Sequence, residues 1–257
     1  MNDELDLAVE RFHRAGQVGA AKRAAPLLHL PTWSQLRIAA RQRAVVGNGG
    51  DFYEVIQQRN GHVTTVMADI CGNGPAAAAP VSKLRWVLRQ QLARGGEPAD
   101  VLATLNDWIV NQKAHDFVTA VCVRVDPQTG RVDIASAGHL GPFLKRANGT
   151  AIEVSLAVGP ALGILPTQVY QQTQHDLDSE DALVLVTDGI TDPLGTTGNP
   201  LGQAGLLAAL ERARPGAESI CAALLGRDAS SAQDATVIVL QLPRRHRRVT
   251  PVNRSSR

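Results

Sequence analysis

Strand signals and helix signals in this chain come in blocks, and that order limits the fold more than any single motif. Residues 35–46 (QLRIAARQRAVV) and 51–58 (DFYEVIQQ) read as strands, and HVTTVMAD (62–69) returns after an Asn60-Gly61 turn. Two helices follow, one within 75–93 that ends at Gly95-Gly96 and one that opens at Pro98. A long β-rich stretch then runs through 117–125, 131–138, FLKRA at 143–147, the Asn148-Gly149 turn, 150–155, 169–177 and 182–188. A second helix pair, 201–213 and 216–227, precedes a last strand at 235–242. Helices in consecutive pairs between antiparallel strands argue against a doubly wound βαβ fold. They predict an α+β fold, with two packed sheets covered by helices on both outer faces. One domain over 26–242 is expected. Residues 1–25 read as a helical lead-in, with Leu5, Val9 and Phe12 at helical spacing, and Pro26 and Pro31 bracket a connector.

Composition narrows the function. Hydrophobic residues make up 44% and charged residues 19%, which is globular rather than disordered. No apolar run approaches the ~20 residues of a membrane helix, and the N-terminus lacks the basic-then-apolar pattern of a secretory signal. Cys71, Cys122 and Cys221 are odd in number and form no CxxC pair. They argue against a disulfide framework or a cysteine zinc site, suit a reducing cytoplasm, and read as small buried apolar residues. The net charge of +2 does not imply nucleic acid. Basic residues do gather at 243–257 (PRRHRRVTPVNRSSR), which reads as a solvated, disordered tail. Trp33, Trp86 and Trp108 read as core or helix-packing residues, since no basic stripe surrounds them to make a stacking platform.

The chemistry falls on aspartates at strand ends. Asp51 opens one arm of the hairpin and Asp69 closes the other; their numbers sum to 120, where a strict two-residue Asn60-Gly61 turn pairs positions summing to 121. A three-residue loop or a bulge would set both on one face. Gly50 precedes Asp51, and Gly72, Asn73 and Gly74 follow Asp69, so backbone can approach a ligand or ion closely. Asp188 ends the apolar strand ALVLVTD with Gly189 after it; an acid at the tip of a buried strand needs a cation to satisfy it. Asp234 stands just before the last strand. Four such acids form a hard oxygen set suited to Mg²⁺ or Mn²⁺, and no His-x-His or HExxH spacing competes for zinc.

In this order, VVGNGGDFYEV (45–55), MADICGNGPAAA (67–78), FVTAVCVRVDPQTGRVDIASAGHLGPFL (117–144), ALGI (161–164), ALVLVTDGITD (182–192), PLGQAGLLAAL (200–210) and QDATVIVL (233–240) resemble the PPM-type metal-dependent Ser/Thr phosphatases, in their bacterial stage-II-sporulation-E-like branch. The resemblance spans residues 30–242. It implies a four-layer αββα sandwich with two Mn²⁺ or Mg²⁺ ions at one end. It implies that Asp69 bridges both ions, that the Ile70 carbonyl is a further ligand, that Asp51 ligates or holds bound waters, and that Asp188 binds the first ion. The implied reaction is metal-assisted hydrolysis of phosphoserine or phosphothreonine by a hydroxide shared between the ions, with no enzyme nucleophile. The usual substrate in this branch is an anti-anti-sigma-type (STAS) regulator in partner-switching or stress signalling.

Three departures stand out. The family's last motif reads Asp-Asp-x-Thr, but here it is Gln233-Asp234-Ala235-Thr236. Gln233 offers a carbonyl oxygen without charge, so one ion should bind less tightly; Asp234 substitutes only if the loop shifts by one residue. Asn73 replaces the usual His of the loop after the bridging Asp. Pro80 falls inside the first helix, at an early turn or a kink. His139 in AGHLGP reads as a structural loop residue, and His62 and His115 as ordinary surface or partly buried ones. The expected protein is a cytoplasmic phosphatase weakened by Gln233; the alternative is a phosphatase fold that binds a regulator without turnover. Its input is expected from another protein or from oligomerisation through residues 1–25, with a homodimer left open.

Overall fold

The computed structural model describes residues 35–43, 50–71, 78–112, 117–191, 201–225 and 234–244, with backbone alone for Cys71 and 78–83. Gln233, Gly72, Asn73, Gly74, Trp33, His115, the N-terminal lead-in and all of the basic tail beyond Arg244 lie outside these residues.

The first sheet holds β1 (Arg37–Arg43), β6 (Phe143–Lys145), β7 (Ala151–Glu153), β10 (Ala182–Val186) and β11 (Ala235–Gln241), in the order β1-β11-β10-β6-β7. The second holds β2 (Asp51–Gln57), β3 (Val63–Cys71), β4 (Phe117–Val125), β5 (Arg131–Ala137) and β8 (Val158–Gly159) in sequence order, with β9 (Gln172–Asp176) also on β5. Helices α1 (Ala78–Ala93) and α2 (Pro98–Asn111) cover the second sheet, and α4 (Gly202–Arg212) and α5 (Ala217–Leu225) the first. A short α3 (Asp188–Thr191) follows β10.

The strands read as near-continuous apolar runs because each face meets a different core. Met67 and Val63 of β3 point between the sheets with Leu183, Leu185, Ile238 and Leu240. The alternate residues Val66, Ala68 and Ile70 point outward onto Leu84, Leu88 and Leu92 of α1 and Leu102 and Leu105 of α2. In the same way Val184, Val186, Val237 and Val239 face Leu206, Leu210, Ile220 and Cys221. Three apolar layers separate four structural layers, as the block order of the sequence implies.

Several local readings change. The hairpin turn is a three-residue loop. Gln58 N–H donates to the His62 carbonyl at 2.8 Å, and Gly61, at φ +88°, donates to Gln58 O at 2.9 Å. Glycine takes the left-handed third place of the loop, which shifts the register by one from the two-residue reading. Pro80 stands in the first turn of α1, where its missing N–H has no helical partner to lose. Trp86 is 65% exposed and not a packing residue, because the face of α1 that meets the sheet is already taken by Leu84, Leu88 and Leu92. Trp108 is partly buried against the helix-side core, and Cys122 and Cys221 are buried.

Candidate active site

The three-residue loop sets Asp51 directly opposite Asp69 in the β2–β3 register, and Asp69 opposite Thr119 of β4. Both aspartates therefore share one rung at the open end of the hairpin. Asp51 then reaches across to the first sheet. Its Oδ2 accepts hydrogen bonds from Thr187 Oγ1 and Thr236 Oγ1, each at 2.7 Å. Those two threonines are themselves tied: Thr187 N–H donates to Thr236 O at 3.1 Å, and Thr236 N–H to Thr187 Oγ1 at 2.9 Å. Gln42 Nε2 of β1 also donates to the Asp51 carbonyl at 2.9 Å. The acid end thus pins the two sheets together where the apolar layer between them stops.

Two glycines make the crowding possible. A Cβ on Gly50 would lie 2.7 Å from Asp69 Oδ1 and 2.6 Å from the Ile70 carbonyl oxygen. One on Gly189 would lie 1.8 Å from the Asp234 carbonyl oxygen. Gly50 also accepts a backbone hydrogen bond from Ile70 at 3.2 Å. Any side chain at either position would push the strand ends apart.

Burial first, then repulsion from Asp69 and Asp234, push the Asp51 carboxyl up to about 7 against the pull of its two threonine hydrogen bonds. Burial and the nearby Asp188 and Asp234 raise Asp69 to about 6. Among the described residues no cation offsets either group. Asp188 is a correction to the sequence reading: it opens α3 and is exposed, because β10 ends two residues earlier at Val186 and the chain turns outward. It bears on the site by raising the Asp69 carboxyl, not through burial at a strand tip.

His139 is buried beside the rung. Its Nδ1 lies 3.0 Å from Thr119 Oγ1, and burial pushes the imidazole down to about 4, against the opposing pull of the Val186 backbone. It is therefore neutral and is held to β4 through Thr119. Thr187, Thr236, Thr119 and Gln42 are the residues that sequence reasoning missed. The available signal was a hydroxyl interrupting two otherwise apolar strands beside an acid, at Thr187-Asp188 and Asp234-Ala235-Thr236.

The donor set suits a hard cation. Among the described residues no three His, Cys, Asp or Glu side chains close into a finished ligand cage. Yet Asp69 Oδ1 and the Ile70 carbonyl converge on one point beside Gly50, and Asp188 and Asp234 bear on the same carboxylate. Oxygen donors of like charge crowded in this way take Mg²⁺ or Mn²⁺ chemistry rather than zinc chemistry.

The family model "Stage II sporulation protein E (SpoIIE)" matches residues 59–243. Phosphoserine phosphatase RsbU of Bacillus subtilis (strain 168) is 28% identical over 145 residues, which is 56% of this chain and 43% of that protein. The chain thus spans less than half the length of this curated relative. The crystal structure of the RsbU and RsbW domains of Rv1364c from Mycobacterium tuberculosis superposes with a TM-score of 0.71 at 25% identity, covering 82% of this chain and 61% of that one. The catalytic domain of serine/threonine protein phosphatase PstP, solved with two manganese ions, shares the fold at a TM-score of 0.58 and 19% identity, covering 81% of this chain and 98% of that one.

Proposed function

The chain belongs to the SpoIIE family, and on that premise we propose that it hydrolyses phosphoserine or phosphothreonine on a regulatory protein, with Mn²⁺ or Mg²⁺ at the acid end of the sandwich. The observation that carries the reading is the shared rung of Asp51 and Asp69, with Asp188 and Asp234 brought against it from the other sheet. Asp69 and the Ile70 carbonyl would hold the metal beside Gly50, with Asp188 and Asp234 contributing from the first sheet. Gln233, outside the described residues, keeps its place as the weaker ligand. Two ions are proposed, the second bound less tightly. When bound, they supply positive charge for phosphate oxygens and make water acidic enough to attack near neutral pH.

The chain's own residues fix the geometry of that end. Thr187 and Thr236 hold one oxygen of Asp51 and leave the other available. Neutral His139 holds Thr119, the rung partner of Asp69, without adding a charge. The substrate we propose is a phosphorylated STAS-type anti-anti-sigma regulator in the cytoplasm, which rests on the resemblance to the SpoIIE-like branch. A second reading, binding without turnover, is favoured by Gln233 and Asn73 in place of the family's usual residues.

Turnover of para-nitrophenyl phosphate with and without millimolar Mn²⁺ separates the two. Metal-dependent turnover that Asp69→Asn abolishes is the expected outcome. Background rates in both proteins would leave the binding reading. A large gain from Gln233→Asp would identify a weakened catalyst.

A further inference from the structure

Large apolar side chains gather on one loop at the acid end. Val158, Ile164, Leu165 and Val169 are 60%, 53%, 48% and 79% exposed, and all lie within residues 158–170. Phe117, 42% exposed, joins them, because its neighbour Val118 exchanges backbone hydrogen bonds with Leu162 of that loop at 3.0 and 2.8 Å. Isolated exposed hydrophobics are ordinary, but a cluster on one loop marks a contact surface.

This loop is built rather than slack. Asn106 of α2 is fully buried, and its side chain is committed to it: Nδ2 donates to the Leu165 carbonyl at 2.8 Å and Oδ1 accepts from Gly163 N–H at 2.9 Å. Tyr170 hydroxyl donates to the Pro160 carbonyl at 3.1 Å, closing the loop on itself. Thr167 sits at φ +53°, an uncommon conformation for a β-branched residue that persists only where the surroundings impose it. A buried amide and a strained threonine together hold apolar side chains out in water, which folding alone does not reward.

The loop's place names its occupant. β8 at its start pairs with Ser136 and Ala137, just before His139, and Phe117 lies two residues from Thr119, the partner of Asp69. At about 3.4 Å per strand residue, the apolar rim begins roughly 7 Å from that rung. A segment that delivers a phosphorylated side chain to the acid end must lay its neighbouring residues over this rim. We propose that loop 158–170 and Phe117 form the docking surface for apolar side chains flanking the phosphoserine or phosphothreonine of the protein substrate, an inference that rests on the phosphatase reading.

The test uses the full chain, the double variant Leu165→Ser/Val169→Ser, and two synthetic phosphoserine peptides, one flanked by leucines and one by serines. The substituted Leu165 and Val169 are 48% and 79% exposed, and the Asn106 hydrogen bond reaches Leu165 at its backbone carbonyl, so the fold is kept. Wild type should prefer the leucine-flanked peptide by about tenfold or more in kcat/KM. The variant should lose most of that preference while para-nitrophenyl phosphate turnover stays unchanged. Equal handling of the two peptides by wild type, or a preference untouched in the variant, overturns the proposal. So does a wild-type dimer in sedimentation that the variant abolishes, since a second copy would then be the occupant. If wild type turns over no aryl phosphate, the phosphatase reading fails, and fluorescence anisotropy of the two peptides reads docking alone. Tighter binding of the leucine-flanked peptide by wild type, lost in the variant, supports the surface; equal binding ends it.

Discussion

The second sheet and the chain beside it hold carboxylates under opposite regimes at the sheet's two ends. At the far end, buried Arg124 donates to both oxygens of Glu97 and to Asp133 Oδ2 at 2.8 Å, while Arg131 donates to Asp133 Oδ1 at 3.0 Å. Hydrogen bonds from Arg124 hold Glu97 below its usual range; burial would raise Asp133, but the two arginines outweigh it and hold that carboxyl low as well. At the near end, burial and then Asp69 and Asp234 raise Asp51, while burial and then Asp188 and Asp234 raise Asp69. The same sheet thus closes one carboxylate group with its own cations and leaves the other to a cation from outside. Charge that the fold satisfies is architecture; charge that it leaves unbalanced beside a rim is a site.

The largest effect that tests this contrast is on turnover. Asp69→Asn should lower Mn²⁺-dependent hydrolysis of para-nitrophenyl phosphate by about a hundredfold or more. Arg124→Met should leave the same rate within about twofold. A variant at the arginine end that stops turnover with its fold intact would break the comparison.

Stability should respond the other way round. Arg124→Met takes their shared partner from Asp133 and Glu97; Arg131 still holds Asp133 and Glu97 is half exposed, so the loss stays below the roughly 3 kcal/mol that breaking a fully buried pair costs. Urea unfolding should show that loss, whereas Asp69→Asn in chelator should unfold no earlier than wild type, since it removes repulsion rather than attraction.

The two ends should also differ in the sign of their pH dependence. Asp51, raised from its ordinary 3.8 to about 7, favours the folded state below pH 3.8 and loses that contribution as pH rises toward 7. Glu97 and Asp133 are lowered, so their contribution is full above pH 4.5 and is lost as pH falls below it. In chelator, the advantage of Asp51→Asn over wild type should therefore grow between pH 4 and 7, by on the order of 3 kcal/mol at most. The deficit of Arg124→Met should instead shrink below pH 4.5. Millimolar Mn²⁺ at pH 7 should erase the first difference and leave the second.

Much of this was legible in the chain. Helices in pairs gave the four layers, because each strand between them is apolar on both faces and needs cover on both. The sum of 120 for Asp51 and Asp69 gave their shared rung, since pairing along a hairpin is arithmetic once the loop length is known. Asp188 was harder. An apolar run does not say where its strand ends, and a two-residue difference turned a buried tip into an exposed helix start. Trp86 misled because size and apolarity say nothing of which helix face a residue occupies, while the leucines at 84, 88 and 92 did. The Asp51–Thr187–Thr236 bridge was out of reach, for it joins residues 136 and 185 positions apart, and nothing local to either threonine announces its partner.

That bridge supplies the smallest and most discriminating effect. Thr236→Val keeps the volume of a fully buried side chain and removes one of two hydroxyls from Asp51 Oδ2. A hydrogen bond to an ionised group contributes about 1.5–3 kcal/mol, but here Thr187 remains, so a loss near 1 kcal/mol is expected in urea. The hydroxyl favours the charged carboxylate, and without it Asp51 should be harder to ionise. The acid limb of the Mn²⁺-dependent rate should therefore move to higher pH in Thr236→Val, while kcat at alkaline pH is kept. A variant that loses stability with no movement of that limb would make the threonines part of the frame, on the same footing as Arg124, and erase the distinction between the two ends at this residue.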